Sequence, residues 1–303
     1  MKKKYYILGI LFAVVAALLN GTVGVFSKGI MSSNMSPSGI AFYKCLIAFT
    51  CISLIAVFHK NTRERIKENA RYVKPIMFCA FLGIFILYFF ETTGYKYQSV
   101  PLVVFILLGS ATLTTFFGSM YFLAEKKQIH QYIGLLLLFL GLFFMFFYGE
   151  SESGSLFGMI CAAIAGIGYG LFMIFTKRYQ LKGSLGLVWY LMLFGSIYLF
   201  IPFAIEGLTI PAPESYGSFI LLAILPTIGG FYCTTVALNY IEASKVQFFE
   251  LTEPVFATVF AFVFLREFIS GAEWIGASLI LVAIYISEYE RKQVKQVEDE
   301  ISY

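Results

Sequence analysis

Long apolar runs alternate with short polar connections along the whole chain. A helix needs about 20 apolar residues to cross a bilayer. The runs predict ten transmembrane helices, at 5–27, 37–58, 75–95, 99–123, 129–149, 155–176, 185–205, 215–239, 244–265 and 271–289. The longest connection, 59–74, is rich in Lys, Arg and Glu and predicts a surface helix.

The composition agrees with this pattern, because 59% of the 303 residues are apolar and only 13% are charged. A soluble domain usually carries about 25% charged residues. The sequence therefore predicts an all-α, multi-pass protein of the cell membrane. The first apolar run is long enough to span the bilayer, which favours a helix over a signal peptide.

The basic residues predict the orientation of the helices. If the N-terminus is cytoplasmic, nearly all of the 22 lysines and arginines face the cytoplasm, Lys28, Lys96 and Arg266 face outward, and Lys44 lies within a helix. Because cytoplasmic loops carry an excess of Lys and Arg, both termini are predicted to be cytoplasmic. Residues 290–303 then form a short polar cytoplasmic tail.

A ladder of small residues in the first helix recurs in the sixth. Gly9, Ala13, Ala17 and Gly21 correspond to Gly158, Ala162, Gly166 and Gly170. The chain therefore divides into a first repeat at 5–149, holding helices 1–5, and a second at 155–289, holding helices 6–10. Because each repeat has an odd number of spans, the two are inverted relative to each other. Inverted repeats are the architecture of alternating-access transporters.

Several short motifs carry a family resemblance. They are Asn20-Gly21 with Lys28, Pro37 followed by Phe42-Tyr43-Lys44, Gly94-Tyr95-Lys96-Tyr97-Gln98-Ser99, Ala237-Leu238-Asn239-Tyr240-Ile241-Glu242-Ala243-Ser244, and Glu253-Pro254-Val255-Phe256 running to Leu265-Arg266-Glu267. With these motifs the chain resembles the drug/metabolite transporter superfamily, in the branch built from two five-helix EamA-type repeats. The resemblance implies a small-molecule carrier.

The chain departs from the family pattern at three places. Asn20 stands where members usually have Trp, Lys44 where they usually have Arg, and Ser110-Ala111 in helix 4 where helix 9 has Glu253-Pro254. The substrate of any one member therefore does not transfer to this chain.

Helix 9 carries the strongest candidate site. Glu250 and Glu253 share one face of it, with Gln247 a turn earlier. An intramembrane carboxylate costs about 2.5–3.5 kcal/mol at a helix centre, and Glu253 lies roughly 13–14 Å deep. Such a carboxylate can bind a substrate cation or a proton. Alternatively, Glu253 braces the helix at the break that Pro254 introduces.

Lys44 in helix 2 needs a buried partner, and Glu91 in helix 3 lies at a matching depth. Lys44 is predicted either to bind an anionic group of the substrate or to form a structural ion pair. Further polar and aromatic residues are predicted to line a central cavity with these charges: Tyr95, Asn20, Tyr169, Trp189 and Phe231.

Motifs for other functions are absent from the sequence. It has no HExxH, GxSxG or P-loop, and its five cysteines show no metal-ligand spacing. We therefore expect no enzyme, no cofactor, no metal site and no nucleic-acid partner. The expected partners are the lipid bilayer and a small-molecule substrate, with a proton or another coupling ion as a candidate and the oligomeric state left open.

The sequence thus favours a secondary-active transporter that exports a small polar metabolite, an amino acid or similar, across the cytoplasmic membrane by alternating access. Three alternatives stay open: a membrane enzyme acting on a lipid-linked substrate, a non-transporting receptor or assembly subunit, and an uptake carrier for a cationic or sugar-like metabolite. A water-accessible cavity lined by Glu250, Lys44 and Glu91 would favour transport, whereas a dry, closed bundle would favour the receptor or assembly subunit.

Overall fold

The computed structural model describes residues 2–148 and 155–266, and residues 271, 274–276, 278–279, 281–283 and 285–286 beyond them. These residues form ten helices: α1 (Lys4–Met31), α2 (Pro37–Phe58), α3 (Lys60–Tyr97), α4 (Val100–Leu123), α5 (Ile129–Tyr148), α6 (Leu156–Arg178), α7 (Leu185–Glu206), α8 (Pro213–Ala237), α9 (Ala243–Leu265) and α10 (Trp274–Ala283).

Over their described residues, eight of these helices, α1–α4 and α6–α9, are long and apolar enough to cross a membrane. The described apolar stretches of α5 and α10 are shorter, Ile129–Gly141 and Trp274–Ala283. The all-α membrane fold is therefore confirmed, and the ten-span topology stays a prediction. The connection 149–154, the end of the tenth predicted helix and the tail 290–303 lie outside the described residues.

The polar connection predicted as a surface helix is helical and continuous with the third span. Its first part, Lys60–Asn69, is mostly exposed and packs over the start of α7. A short 3₁₀ turn, Ala70–Tyr72, joins it to the apolar part of α3. Helix α2 begins where Ser36 caps it, because the Ser36 Oγ accepts a hydrogen bond from the Gly39 N–H at 3.2 Å.

Helix α9 breaks as its proline predicts. One helix ends at Glu250 and the next begins at Glu253, so the turn between them lies within the span. Pro254 has no N–H to donate to the carbonyl of Glu250. The corresponding helix α4, which has Ser110-Ala111 instead, is continuous over 24 residues.

Two π-helical segments occupy matching positions in the two halves. One, Phe81–Ile86, lies in α3 and the other, Ala223–Gly230, lies in α8. Each is followed directly by the polar stretch of its helix, which contains Glu91 in α3 and Thr234 in α8. Because π-helical turns are frequent at functional sites, they direct attention to these two stretches.

The two halves pack through equivalent contacts. A Cβ at Gly9 in α1 would lie 2.9 Å from Ile241 and 3.0 Å from Tyr240, after the end of α8. A Cβ at Gly158 in α6 would lie 2.9 Å from both Gln98 and Tyr97, at the end of α3. The first helix of each half therefore packs closely against the third helix of the other half, which small residues permit.

Helices α1 and α6 make a second pair of equivalent contacts nearer their C-terminal ends. Gly21 in α1 lies against Phe256 and Ala257 of α9, and Gly170 in α6 lies against Ala111 and Thr114 of α4. Helices α1 and α6 are thus each embedded in the opposite half. This arrangement brings residues from both halves to the centre of the bundle.

Candidate functional site

Glu250 lies in a ring of three oxygen-bearing side chains from three helices. Its carboxylate accepts a hydrogen bond from the Tyr169 hydroxyl of α6 at 2.8 Å and one from Thr234 Oγ1 of α8 at 2.6 Å. The two hydroxyl oxygens are 3.2 Å apart. Glu250 and Thr234 are 0% exposed, so this polar ring is enclosed.

A second polar cluster surrounds Lys44. The Lys44 Nζ lies 3.6 Å from Glu91 Oε2 and 3.4 Å from the centroid of the Tyr88 ring. The other oxygen of Glu91 accepts a hydrogen bond from the Tyr95 hydroxyl at 3.3 Å. The pairing of Lys44 with Glu91 is the one that their matching depths predict. Both contacts favour the charged ammonium in a buried position.

Glu253 is held by a residue of the other half. The Asn20 side chain of α1 forms a hydrogen bond with the Glu253 carboxylate. Asn20 also lies directly against α8, because a Cβ at Gly230 would come within 2.0 Å of its Oδ1. Glu253 is near enough to both Glu250 and Glu91 for their charges to interact.

Aromatic rings connect the clusters. Phe231 of α8 packs edge-on against Tyr88 of the lysine cluster, with the ring centroids 5.5 Å apart. Phe231 also packs against Tyr169 at 6.2 Å and against Phe172 at 5.5 Å. The predicted residues Tyr95, Asn20, Tyr169 and Phe231 therefore come together with the four charged residues.

Trp189 lies apart from this centre. Its Nε1 donates a hydrogen bond to Ser53 Oγ of α2 at 2.8 Å, and its ring packs against Phe49. It contributes to the contact between α2 and α7. Trp189 lies only one turn into α7. In the predicted orientation this end of α7 is cytoplasmic, so Trp189 lies beside the cytoplasmic end of α2.

Three residues of the centre are not in the predicted set. Tyr88 lies one turn before Glu91 on α3 and Thr234 lies one turn after Phe231 on α8, so helical spacing from these two predicted residues could have identified both. Gln247 lies one turn before Glu250, is 0% exposed, and has no hydrogen-bond partner for either amide atom among the described residues. An unpaired buried amide is costly, so Gln247 suits contact with a ligand.

The centre contains more acid than base. Within the described part of the chain the centre holds three buried carboxylates, Glu91, Glu250 and Glu253, and one buried ammonium, that of Lys44, which lies beside Glu91. Among the described residues, no group of three His, Cys, Asp or Glu side chains is arranged to hold a metal ion. The arrangement can therefore accept positive charge, from protons or from a cationic group.

The centre is closed to solvent in this structure. A cavity of about 780 Å³ opens elsewhere, beside Tyr72 of α3 and Tyr232 of α8, and neither Lys44 nor any of the three carboxylates lines it. Lys44 and Glu250 are 0% exposed and Glu91 is 5% exposed, so the expected water-accessible cavity lined by these three residues is not open in this structure. Phe231, which contacts Tyr88 and Tyr169, is itself buried in the apolar core. This closed packing is the result expected for a receptor or assembly subunit, and it is equally the packing of a transporter whose centre is occluded.

Comparisons with known proteins cover both halves of the chain. The model of the EamA-like transporter family matches residues 7–147 and again residues 156–289. A protein of Haemophilus influenzae named "Uncharacterized transporter" is 24% identical over 310 residues, which cover 96% of this chain and 97% of that protein. The "Uncharacterized transporter YwfM" of Bacillus subtilis is 22% identical over 93% of this chain and 95% of its own length.

Two further matches are similar in fold or in part of the sequence. The "Uncharacterized transporter YoaV" of Bacillus subtilis is 28% identical over 183 residues, which cover 56% of this chain and 61% of that protein. A solved structure described only as "Crystal structure of protein" has a TM-score of 0.74 at 15% identity and covers 94% of this chain and 98% of its own. At that identity the likeness concerns the fold alone.

These matches confirm the family resemblance predicted from the motifs. They also support the prediction of a multi-pass membrane transporter, whose partners are the lipid bilayer and a small-molecule substrate. The relatives' names agree with the expectation that the chain is not an enzyme. With both of its halves matched, the chain belongs to the EamA-like transporter family.

Proposed function

We propose that this protein is a secondary transporter of a small polar metabolite that carries a basic group, an amino acid or similar, and that Glu250 exchanges protons during transport. The excess of buried carboxylates over basic groups carries this proposal: in the part of the chain that the structure describes, the centre holds Glu91, Glu250 and Glu253 but one buried cation, Lys44. If all four were ionised, the centre would hold two uncompensated negative charges, which is unfavourable in a dry interior.

A proton and a substrate cation each relieve this imbalance. A protonated Glu250 is neutral, and a bound ammonium or guanidinium offsets a carboxylate charge directly. The proton and the substrate cation therefore compete for the same buried carboxylates. This competition is the physical basis for exchanging one for the other. Lys44, next to Glu91, is suited to an anionic group of the same substrate, such as the carboxylate of an amino acid.

The mechanism that we propose is alternating access between two inverted halves, 5–149 and 155–289, with ten spans, both termini in the cytoplasm and 290–303 as a cytoplasmic tail. The equivalent glycine contacts of α1 and α6 support it, because they give each half the same close packing against the other, as related inverted repeats would have. The enclosed centre then corresponds to an occluded state. The direction that we propose is export.

The test is transport by the purified protein in liposomes. Labelled amino acids, cationic metabolites and sugar phosphates are offered one class at a time, with and without a pH gradient. We expect saturable transport of a basic amino acid or a related cation, driven by the pH gradient. Variants Glu250→Gln and Lys44→Ala are compared with Glu64→Gln, in which the altered carboxylate lies on the exposed part of α3.

The control variant distinguishes the loss of a central charged group from the loss of any carboxylate. We expect Glu250→Gln and Lys44→Ala to reduce transport while Glu64→Gln retains it, all three variants being checked for monodisperse elution. Unchanged transport and unchanged pH dependence in both central variants would show that the carboxylates have no role in transport. A preference for sugar phosphates that persists in Glu250→Gln would favour an anionic substrate instead.

Orientation is tested separately. A cysteine introduced by Lys67→Cys lies on the exposed part of α3, and we expect it to resist a membrane-impermeant thiol reagent in intact cells and to react in opened cells. Labelling from outside would reverse the proposed topology and, with it, the direction of transport.

A further inference from the structure

A second concave site lies away from the carboxylates. The cavity of about 780 Å³ lies where the Lys60–Asn69 part of α3 packs over the start of α7. Its walls come from α3, from the connection between α6 and α7, and from the end of α8. This volume suits a small molecule or a lipid headgroup, since ligand pockets commonly measure about 300–1,000 Å³.

The charge of the lining is strongly positive. Four basic side chains line the cavity, Arg65, Arg71, Lys177 and Lys182, against the single acidic residue Glu68. Glu68 is already paired, because its Oε2 lies 2.9 Å from the Nη1 of Arg65. Lys177 interacts with Glu125 and Glu242, which lie outside the lining. Arg71 and Lys182 are therefore the two described lining charges that no acidic lining residue offsets.

Backbone groups add to this positive potential. The lining includes Gly183, Ser184 and Leu185, which lead into the N-terminal end of the 22-residue helix α7. The N-terminal end of a helix carries partial positive charge and free N–H groups, which favour anions. The partial positive charge of the helix end thus adds to the charges of the basic side chains.

The wall of the cavity is held in position before any ligand binds. The Gly183 N–H donates to Asn239 Oδ1 at 2.9 Å, and Asn239 Nδ2 donates to the Gly183 carbonyl at 3.3 Å. The Lys177 ammonium donates to the carbonyls of Leu238 and Ile241, which holds it at the end of α8. These bonds use the Gly183 N–H within the protein and fix the shape of the wall, so that a ligand does not have to order it on binding.

From these observations we infer that the cavity is a binding site for a phosphate-bearing anion, separate from the carboxylate centre. Three tyrosines, Tyr72, Tyr232 and Tyr240, also line the cavity and add aromatic surface to it. This chemistry suits the headgroup of an anionic phospholipid and equally a soluble phosphate ester. The inference does not depend on the proposed substrate of the centre.

The experiment compares two pairs of charge-removing substitutions on the full chain. Arg71→Gln with Lys182→Gln removes two charges from the lining, and Arg63→Gln with Lys67→Gln removes two from the exposed part of α3, outside the lining. Pyrophosphate binding is measured by calorimetry in a neutral detergent. Retention of phosphatidylglycerol against phosphatidylcholine is measured by native mass spectrometry.

We expect the lining pair to weaken binding by about tenfold or more, because it removes charge-assisted contacts, and the surface pair to bind like the wild type. Binding of pyrophosphate by the lipid-free protein would identify a soluble phosphate site, and selective retention of phosphatidylglycerol alone would identify a lipid site. Equal weakening by both pairs would overturn the inference, as it would indicate diffuse attraction to a basic surface. The absence of binding of both probes to the wild type would overturn it as well.

Discussion

The hydroxyl of Tyr169 donates a hydrogen bond of 2.8 Å to the carboxylate of Glu250, and this bond joins α6 to the broken helix α9. Thr234 completes a ring of three oxygen contacts with them. When Glu250 is ionised, the two hydroxyls supply only two protons for the three contacts. A proton on Glu250 supplies the third and allows every contact to be a hydrogen bond, so the geometry accommodates the protonated form.

Replacement of Glu250 by Gln tests this ring. Gln is neutral and can both donate and accept, so we expect the variant to fold and to keep the contacts with Tyr169 and Thr234. It cannot exchange a proton, and its residual transport should therefore be independent of pH. The measurement is liposome uptake across a pH series, and a variant that keeps the wild-type pH profile would remove Glu250 as the protonating group.

The pair of Lys44 and Glu91 should behave as a buried ion pair. Because only 1% of the Lys44 side chain and 7% of the Glu91 side chain are exposed, Lys44→Met leaves a buried charge unpaired and should cost about 3–5 kcal/mol of unfolding free energy. The double variant Lys44→Met with Glu91→Gln should recover most of this loss. Unfolding is followed in detergent by denaturant titration.

The exposed pair of Lys60 and Glu64, at 3.8 Å, is the matched control. The corresponding changes, Lys60→Met alone and with Glu64→Gln, should alter stability by less than about 1 kcal/mol. Equal costs for the buried and the exposed single variants would show that burial does not determine the strength of the Lys44 contact.

Much of this centre could be predicted from the sequence, and the reasons are physical. Depth in two oppositely running helices identifies Glu91 as the partner of Lys44. The missing N–H of Pro254 predicts the break in α9. The small-residue ladder predicts that α1 and α6 make equivalent contacts, and Gly9 and Gly158 do so.

The remaining features depend on how helices rotate against one another. The ring of Tyr169, Thr234 and Glu250 needs three helices to present one face each to a common point, which no local pattern specifies. Aromatic residues are frequent in this chain, so residue type alone does not tell that Phe231 lies at the centre and Trp189 at the α2–α7 contact. The closed packing of the centre likewise follows from tertiary contacts.

Close packing between the halves predicts a steep cost for added volume at Gly166. A Cβ there would lie 2.0 Å from the carbonyl oxygen of Leu107 in α4, and a backbone atom cannot move aside as a side chain can. We expect Gly166→Ala to lower stability by about 1–3 kcal/mol through separation of α4 from α6. Gly29→Ala, with no atom within 4 Å of the added carbon, is the control and should leave the unfolding temperature unchanged.

Glu125, in the connection after α4, should make stability depend on pH. Its burial opposes ionisation, but the Lys127 ammonium at 2.7 Å and hydrogen bonds from Lys127, Ser244 and Ser119 outweigh that effect and lower the pKa of the carboxyl. A lowered pKa in the folded state means that the stabilisation is complete above the unfolded pKa of about 4.3 and is lost as the pH falls through the folded value.

We therefore expect Glu125→Gln to be less stable than the wild type at neutral pH and the difference to shrink in acid. Thermal unfolding at a series of pH values measures the difference. Glu64→Gln on the exposed part of α3 should show no such convergence. A Glu125→Gln deficit that stays constant down to strongly acidic pH would mean that shape, and not the ionised carboxylate, stabilises this connection.

Gln247 gives the clearest separation between stability and function. Its buried amide has no hydrogen-bond partner among the described residues, whereas the Nε2 of the nearly buried Gln98 donates to the Ser155 carbonyl at 3.1 Å. Removing an unpaired buried amide costs little or stabilises, whereas removing a paired one costs about 1 kcal/mol. We therefore expect Gln247→Leu to unfold at the same temperature as the wild type or above it, and Gln98→Leu to unfold below it.

For transport we expect the reverse order: Gln247→Leu should be impaired and Gln98→Leu should not. If the Gln247 amide binds the transported molecule one turn from Glu250, Gln247→Leu raises the substrate concentration needed for half-maximal transport, and Gln98→Leu leaves it unchanged. Unfolding temperature and concentration dependence are measured on the same preparations. Destabilisation of Gln247→Leu as large as that of Gln98→Leu, with unchanged transport, would assign the Gln247 amide to the protein's own hydrogen bonding and remove it from the substrate site.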